Sequence, residues 1–182
     1  MATGRRFTHF KRDAPLPRMR EIPEGGFCIS TFLIISKTGS PPQVLMGRIN
    51  KKAPWDHIGA LDQERVERHS AGWMLPSSAL MLGESPQQAA ERILQEQLGL
   101  GEQTLEGPLV FSEVYEPLNH WDLEFLFLGQ RADAPSNDAW RVLEFVDLTK
   151  IRKEDVARGH EDILANVRKM DKWLSNSSNV RF

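Results

Sequence analysis

Glu84, Arg92, Glu96 and Gln97 fall within one stretch, LPSSALMLGESPQQAAERILQEQLGL, that runs from Leu75 to Leu100. A carboxylate such as Glu96 can hold a hard divalent cation, and an amide such as Gln97 can both donate to and accept from a ligand. Either group needs an element that fixes it. Ser85, Pro86 and Gln88 occupy the N-cap, first-residue and capping-box positions of a helix, and Gly99 stands where a glycine would end one. These signals predict a single helix over 86–98. At about 100° per residue, Ala89, Ala90, Ile93, Leu94 and Leu98 share one half of it, and Glu91, Arg92, Gln95 and Glu96 share the other. Gln97 lies on the apolar arc between Ile93 and Ala90, where an amide needs hydrogen-bond partners or a solvent-filled cleft. By periodicity alone the stretch is an amphipathic helix packed on a sheet, with Arg92 and Glu96 as a solvated i, i+4 pair.

The ordered set Leu75-Pro76, Glu84, Ala89-Ala90, Arg92, Glu96 and Gly99-Leu100 resembles the signature box of the Nudix hydrolases. Three positions depart from it: Ser78 replaces the opening glycine, Ile93 replaces the glutamate after the arginine, and Gln97 replaces the second of two adjacent glutamates. The resemblance implies an α/β fold, a Nudix-like α/β/α sandwich with a mixed sheet. It also implies that Glu84 and Arg92 hold the loop–helix geometry and that Glu96 binds Mg²⁺ or Mn²⁺. Positions 93, 96 and 97 share one helical patch, so carboxylates at all three would converge on a cation, and this chain keeps only Glu96. The branch acting on GDP-mannose also has an apolar residue after the box arginine, but keeps a glutamate where this chain has Gln97.

Two functions follow. In one, the protein is a divergent hydrolase of a nucleoside diphosphate linked to another moiety, a nucleotide sugar among the options. Glu96 then binds metal, and a carboxylate outside the box (Glu113, Glu116, Asp122 or Glu124) or His120 activates water. In the other, it is a non-catalytic nucleotide-binding or regulatory module on the same scaffold.

With 182 residues, the chain is long enough for one well-cored domain and short for two. The expected division is an N-terminal arm over 1–26, the Nudix-like domain over 27–174 and a tail over 175–182. Strand-like runs at Phe27–Ser36, Gln43–Arg48, Phe111–Tyr115, Asp122–Gly129 and Trp140–Leu148 flank the box helix, and Ile163, Leu164, Val167, Met170 and Leu174 form the stripe of a last helix. A net charge of −2 argues against a surface built for nucleic acid. The longest apolar run, Phe27 to Ile35, is too short to span a bilayer. Cys28 is the single cysteine, which excludes an internal disulfide and fits a cytoplasmic protein. The expected partner is a small nucleotide derivative, and a homodimer is compatible with the resemblance.

Between Arg48 and Trp73 the connection is longer than two strands need, which suggests a lid or specificity loop. Within it Trp55 is placed either to stack on a base or sugar or to anchor the loop on the domain, and Arg48, Lys51 and Lys52 can meet phosphate. His57, His69, His120 and His160 lack the spacing of a zinc site, and His120, beside Trp121 and Asp122, is the histidine best placed to face a cleft.

Overall fold

A computed structural model describes residues 10, 15, 16, 18–38, 43–115, 118–157 and 159–167. Its centre is a six-stranded mixed sheet made of β1 (Phe27–Lys37), β2 (Gln43–Ile49), β3 (Ser77–Ala79), β4 (Glu106–Tyr115), β5 (His120–Arg131) and β6 (Trp140–Asp147). The strand order is β4-β5-β1-β2-β6, with β3 paired to β1. Among the described strands only β1 and β5 pair in parallel, in register from Phe27↔Trp121 to Lys37↔Arg131. The α/β architecture with a mixed sheet therefore matches the sequence-based expectation.

Alternation along β1 divides the core. Leu33 and Ile35 pack with Leu45, Phe127 and the apolar face of α3 (Pro86–Leu98), contributed by Ala90, Ile93, Leu94 and Leu98. Phe32 and Ile34 point to the other face, where they meet Val44, Met46, Leu126 and the residues Ile163, Leu164 and Val167 of α4 (161–167). The sheet thus lies between two helical layers, because period 2 in the strands sends successive apolar side chains to opposite sides. The Met170 and Leu174 end of the expected stripe lies outside the described residues.

The long connection folds into α1 (Trp55–Ile58) and α2 (Gln63–His69). Its apolar residues Trp55, Ile58, Leu61 and Val66 form a separate cluster with Ile49, Met74, Ala139, Trp140 and Ala157. Part of the N-terminal segment is also fixed. Phe10 is buried with Ala60, Ala79 and Met81, and its carbonyl accepts from Leu82 N at 2.7 Å. Among the described residues no helix is long and apolar enough to cross a membrane.

Helix α3 has the expected bounds. Ser85 accepts from Gln88 N, Gln88 returns a bond to Ser85 N, and Gly99 closes the helix at φ 64°, a left-handed conformation that glycine adopts without a Cβ penalty. Ser85→Ala removes one of these bonds and leaves a helix-end N–H unpaired. It is expected to lower unfolding stability by about 1 kcal/mol, measured by chemical denaturation.

Candidate functional site

The loop before α3 is held by a forked ion pair. Arg92 Nε donates to Glu84 Oε1 at 2.6 Å and its Nη2 to Glu84 Oε2 at 2.9 Å, while the guanidinium also reaches Ser78 Oγ and Ala79 O. Glu84 Oε2 accepts in turn from Met81 N at 3.0 Å. Two parallel charge-assisted bonds in a mostly buried setting fix direction as well as distance. They tie β3 to the start of α3.

Gln97 ties β3 to the other end of the helix. It is fully buried, and its Nε2 donates to Ser77 O at 2.7 Å and Ile58 O at 2.9 Å, while its Oε1 accepts from Ser77 N at 3.2 Å. The sequence offered Gln97 for substrate binding, and the structure gives its amide backbone partners on Ser77 and Ile58. Its donors are already spent on backbone carbonyls, and a carboxylate there would face those carbonyls with no proton to give. Ile93 is equally buried, in the core between α3 and the sheet. Of the three box positions that would grip a cation, one is core, one is a backbone clasp, and only Glu96 offers a carboxylate. The donor set on this helix does not fit a divalent ion, and among the described residues no three His, Cys, Asp or Glu side chains stand together at ligand spacing.

The carboxylates gather on the opposite face of the sheet. Register places Cys28 beside Asp122 and Ser30 beside Glu124 across β1 and β5, and Glu113 beside Asp122 across β4 and β5. These residues line a cleft of about 380 Å³ together with Ser77, Ser78 and Ala79 of β3, Arg65, Arg68 and His69 of α2, Tyr115, and Glu161 and Asp162 at the start of α4. Glu96 does not line it. Like charges directly opposed across strands repel, and burial removes the water that would screen them.

The ionisation behaviour follows from that crowding. Burial, then the charges of Glu113, Asp122 and Asp162, pushes Glu124 up to about 8, and burial pushes Asp122 up to about 6 against the opposing pull of Arg65. Burial, then the charges of Asp162, Asp122 and Glu161, raises Glu113 too. Glu124 is 6% exposed, and its side chain makes no hydrogen bond or ion pair with another described residue.

His120, Trp55 and Arg48 do not line the cleft, whereas His69 and His160 do. His120 is fully buried, and its Nε2 lies 3.2 Å from Asp122 Oδ1 without hydrogen-bond alignment. Burial lowers its pKa, so the neutral ring stands behind Asp122, outside the cleft lining. Trp55 is 1% exposed, packs edge-on against Trp140 and donates to Asn50 O, so its ring is a core anchor and not a stacking platform. Arg48 donates to Ala71 O and covers the ring of Trp73 at 4.7 Å. Glu116 lies outside the described residues. Arg65, Arg68, Tyr115, Glu161 and Asp162 went unnoticed in the sequence because nothing in its spacing joins them. Asp122 and Glu124 carried one local signal, an alternation that puts both on one face of a strand.

No family model matches the chain, and no curated protein does either. Among solved structures, a MutT protein from Methanosarcina mazei is 18% identical with a TM-score of 0.53, over 82% of this chain and 98% of that one. An Ap4A hydrolase from C. elegans, solved as a binary complex, is 16% identical with a TM-score of 0.51, over 81% and 98% of the two chains. The NUDIX domain of Shewanella oneidensis NrtR, complexed with ADP ribose, is 13% identical with a TM-score of 0.55, over 78% and 86%. At these identities the likeness shows a Nudix fold.

Two stability measurements check this account of the site. Gln97→Glu is expected to lower stability by about 3 kcal/mol or more, because it buries a charge against two carbonyls. Glu124 binds its proton more tightly in the folded protein than at its ordinary value of 4.5, so that contribution to stability is complete below pH 4.5 and lost as pH rises through about 8. Glu124→Gln should therefore raise the melting temperature more at about pH 8.5 than at about pH 5.

Proposed function

We propose that the protein hydrolyses a nucleoside diphosphate linked to another moiety, and that the reaction takes place in the sheet-face cleft. The observation that carries this reading is Glu124, a buried carboxylate without a described partner that opens on a cleft wide enough for a small ligand. A carboxylate raised towards neutral pH is suited to taking a proton from water. In this reading water gives one proton to Glu124 while its oxygen bonds to phosphorus. The bridging oxygen departs with the bonding electron pair as the phosphate of the leaving fragment. Asp122, with His120 packed behind it, orients the water, and the Glu84–Arg92 fork keeps Ser77–Ala79 at the cleft wall. No step is assigned to an ion on the box helix, whose donors do not fit one.

The structural neighbours support the ligand class, since one is an Ap4A hydrolase and another holds ADP ribose. The fate of positions 93 and 97 favours a second reading, a binding or regulatory module for the same ligands. Turnover separates the two. A panel of ADP-ribose, dinucleotides, nucleotide sugars and nucleoside triphosphates is assayed in EDTA, Mg²⁺ and Mn²⁺. The expected result is product from at least one diphosphate derivative, with kcat rising with pH up to about 8 as Glu124 gives up its proton. Glu124→Gln should lower kcat by about 100-fold or more while the protein stays folded, and Glu96→Gln should leave it within about threefold. Tight binding without product under every condition would establish the module instead.

A further inference from the structure

The cleft has two walls of opposite charge. One is α2, from the long connection, which contributes Arg65 and Arg68. Arg65 spends one N–H on Ala60 O at 3.1 Å, and Arg68 pairs with Glu64 on its own helix at the solvent side. Both guanidiniums keep further donors. The other wall is β4, β5 and the start of α4, which contribute Glu113, Asp122, Glu124, Glu161 and Asp162, with Tyr115 beside them. Glu161 accepts from the backbone N–H groups of Gly159 and His160. The side chains of Glu113 and Asp162 make no hydrogen bond or ion pair with a described residue. A group of acids alone is commonly a solvated surface, but Glu124, more than nine-tenths buried and unpartnered among the described residues, opens into the same space. Among the described residues no cationic side chain pairs with Glu113, Glu124 or Asp162.

We infer that the ligand carries a permanent positive charge on the group linked to its diphosphate, a quaternary ammonium or a pyridinium. The cationic end lies against Glu113 and Asp162, and the diphosphate lies against Arg65 and Arg68. This rests on the proposed diphosphate ligand and adds the charge of the attached group. A neutral sugar would leave the acidic wall repelling itself, whereas a fixed cation relieves it and needs no proton from the protein. The arginine wall is what lets one cleft take both ends.

NAD⁺ and NADH form a near-isosteric pair that differs by one positive charge on the ring, and ADP-ribose lacks the ring. Their affinities are measured by calorimetry in EDTA, so that no turnover is needed. NAD⁺ is expected to bind about fivefold tighter than NADH. In the doubly substituted Glu113→Gln, Asp162→Asn protein, both changes at accessible positions, the preference should fall to about twofold or less, with ADP-ribose bound no more weakly than by the parent. If ADP-ribose binds but NAD⁺ is no better than NADH, or the double variant keeps the preference, the inference is overturned while the diphosphate reading stands. If none of the three binds, the diphosphate reading itself fails. Mg²⁺ alone raising the melting temperature of the parent but not of the double variant would make this wall an ion site and overturn the inference as well.

Discussion

A buried amide sets the geometry of this molecule. Gln97 is a long way in sequence from both Ser77 and Ile58, yet it bonds to the backbone of each. Its own carbonyl accepts from Trp140 Nε1 at 2.7 Å. One residue thus joins α3, β3, the long connection and β6. Because buried polar groups must be paired, any movement of α3 relative to β3 would leave several of them unmet. The Glu84–Arg92 fork does the same at the other end of the helix. Between them, the two ties hold Ser77–Ala79 as one wall of the cleft.

That rigidity explains why the charged residues on the sheet can remain in conflict. Strands β4, β5 and β1 are fixed by continuous ladders, so Glu113, Asp122 and Glu124 cannot separate without breaking register. Their repulsion is retained by the fold and appears as raised affinity for protons. Such frustration is expected where a ligand supplies what the protein lacks. The same ties also show why the box helix carries so little chemistry here. Positions 93 and 97 contribute to packing and clasping, uses that a pair of carboxylates could not serve.

Local signals in the sequence were strong where a single segment determined the outcome. The capping box at Ser85 and Gln88, the glycine at 99 and the apolar arc of 89–98 defined α3 to the residue, and β-rich apolar runs marked most of β1, β2 and β6. The short β3 left no mark, since three residues of Ser-Ser-Ala have no period to read. The first half of β4 escaped for another reason: nearly every residue there is exposed, so burial imposes no alternation, and Gly107-Pro108 reads as a break. For Gln97 the sequence posed the right question, partners or cleft, but the answer lay in carbonyls that only tertiary contact supplies. The cleft itself depended on strand order. Glu113 and Asp122 meet because β4 and β5 are neighbours, and Arg65 faces them because the long connection folds over that end of the sheet, a relation no spacing encodes.

The central claim is that ligands bind on the sheet face lined by β1, β4 and β5 and not along the solvent side of α3. Chemical-shift mapping of isotopically labelled protein with ADP-ribose addresses this most directly, since it needs neither turnover nor a metal. The account predicts perturbed amides at Ser77–Ala79, Glu113, Asp122, Glu124 and Arg65, with Glu91, Gln95 and Glu96 unmoved. Shifts concentrated on Glu96 and its neighbours along α3, with the strand residues unaffected, would contradict it.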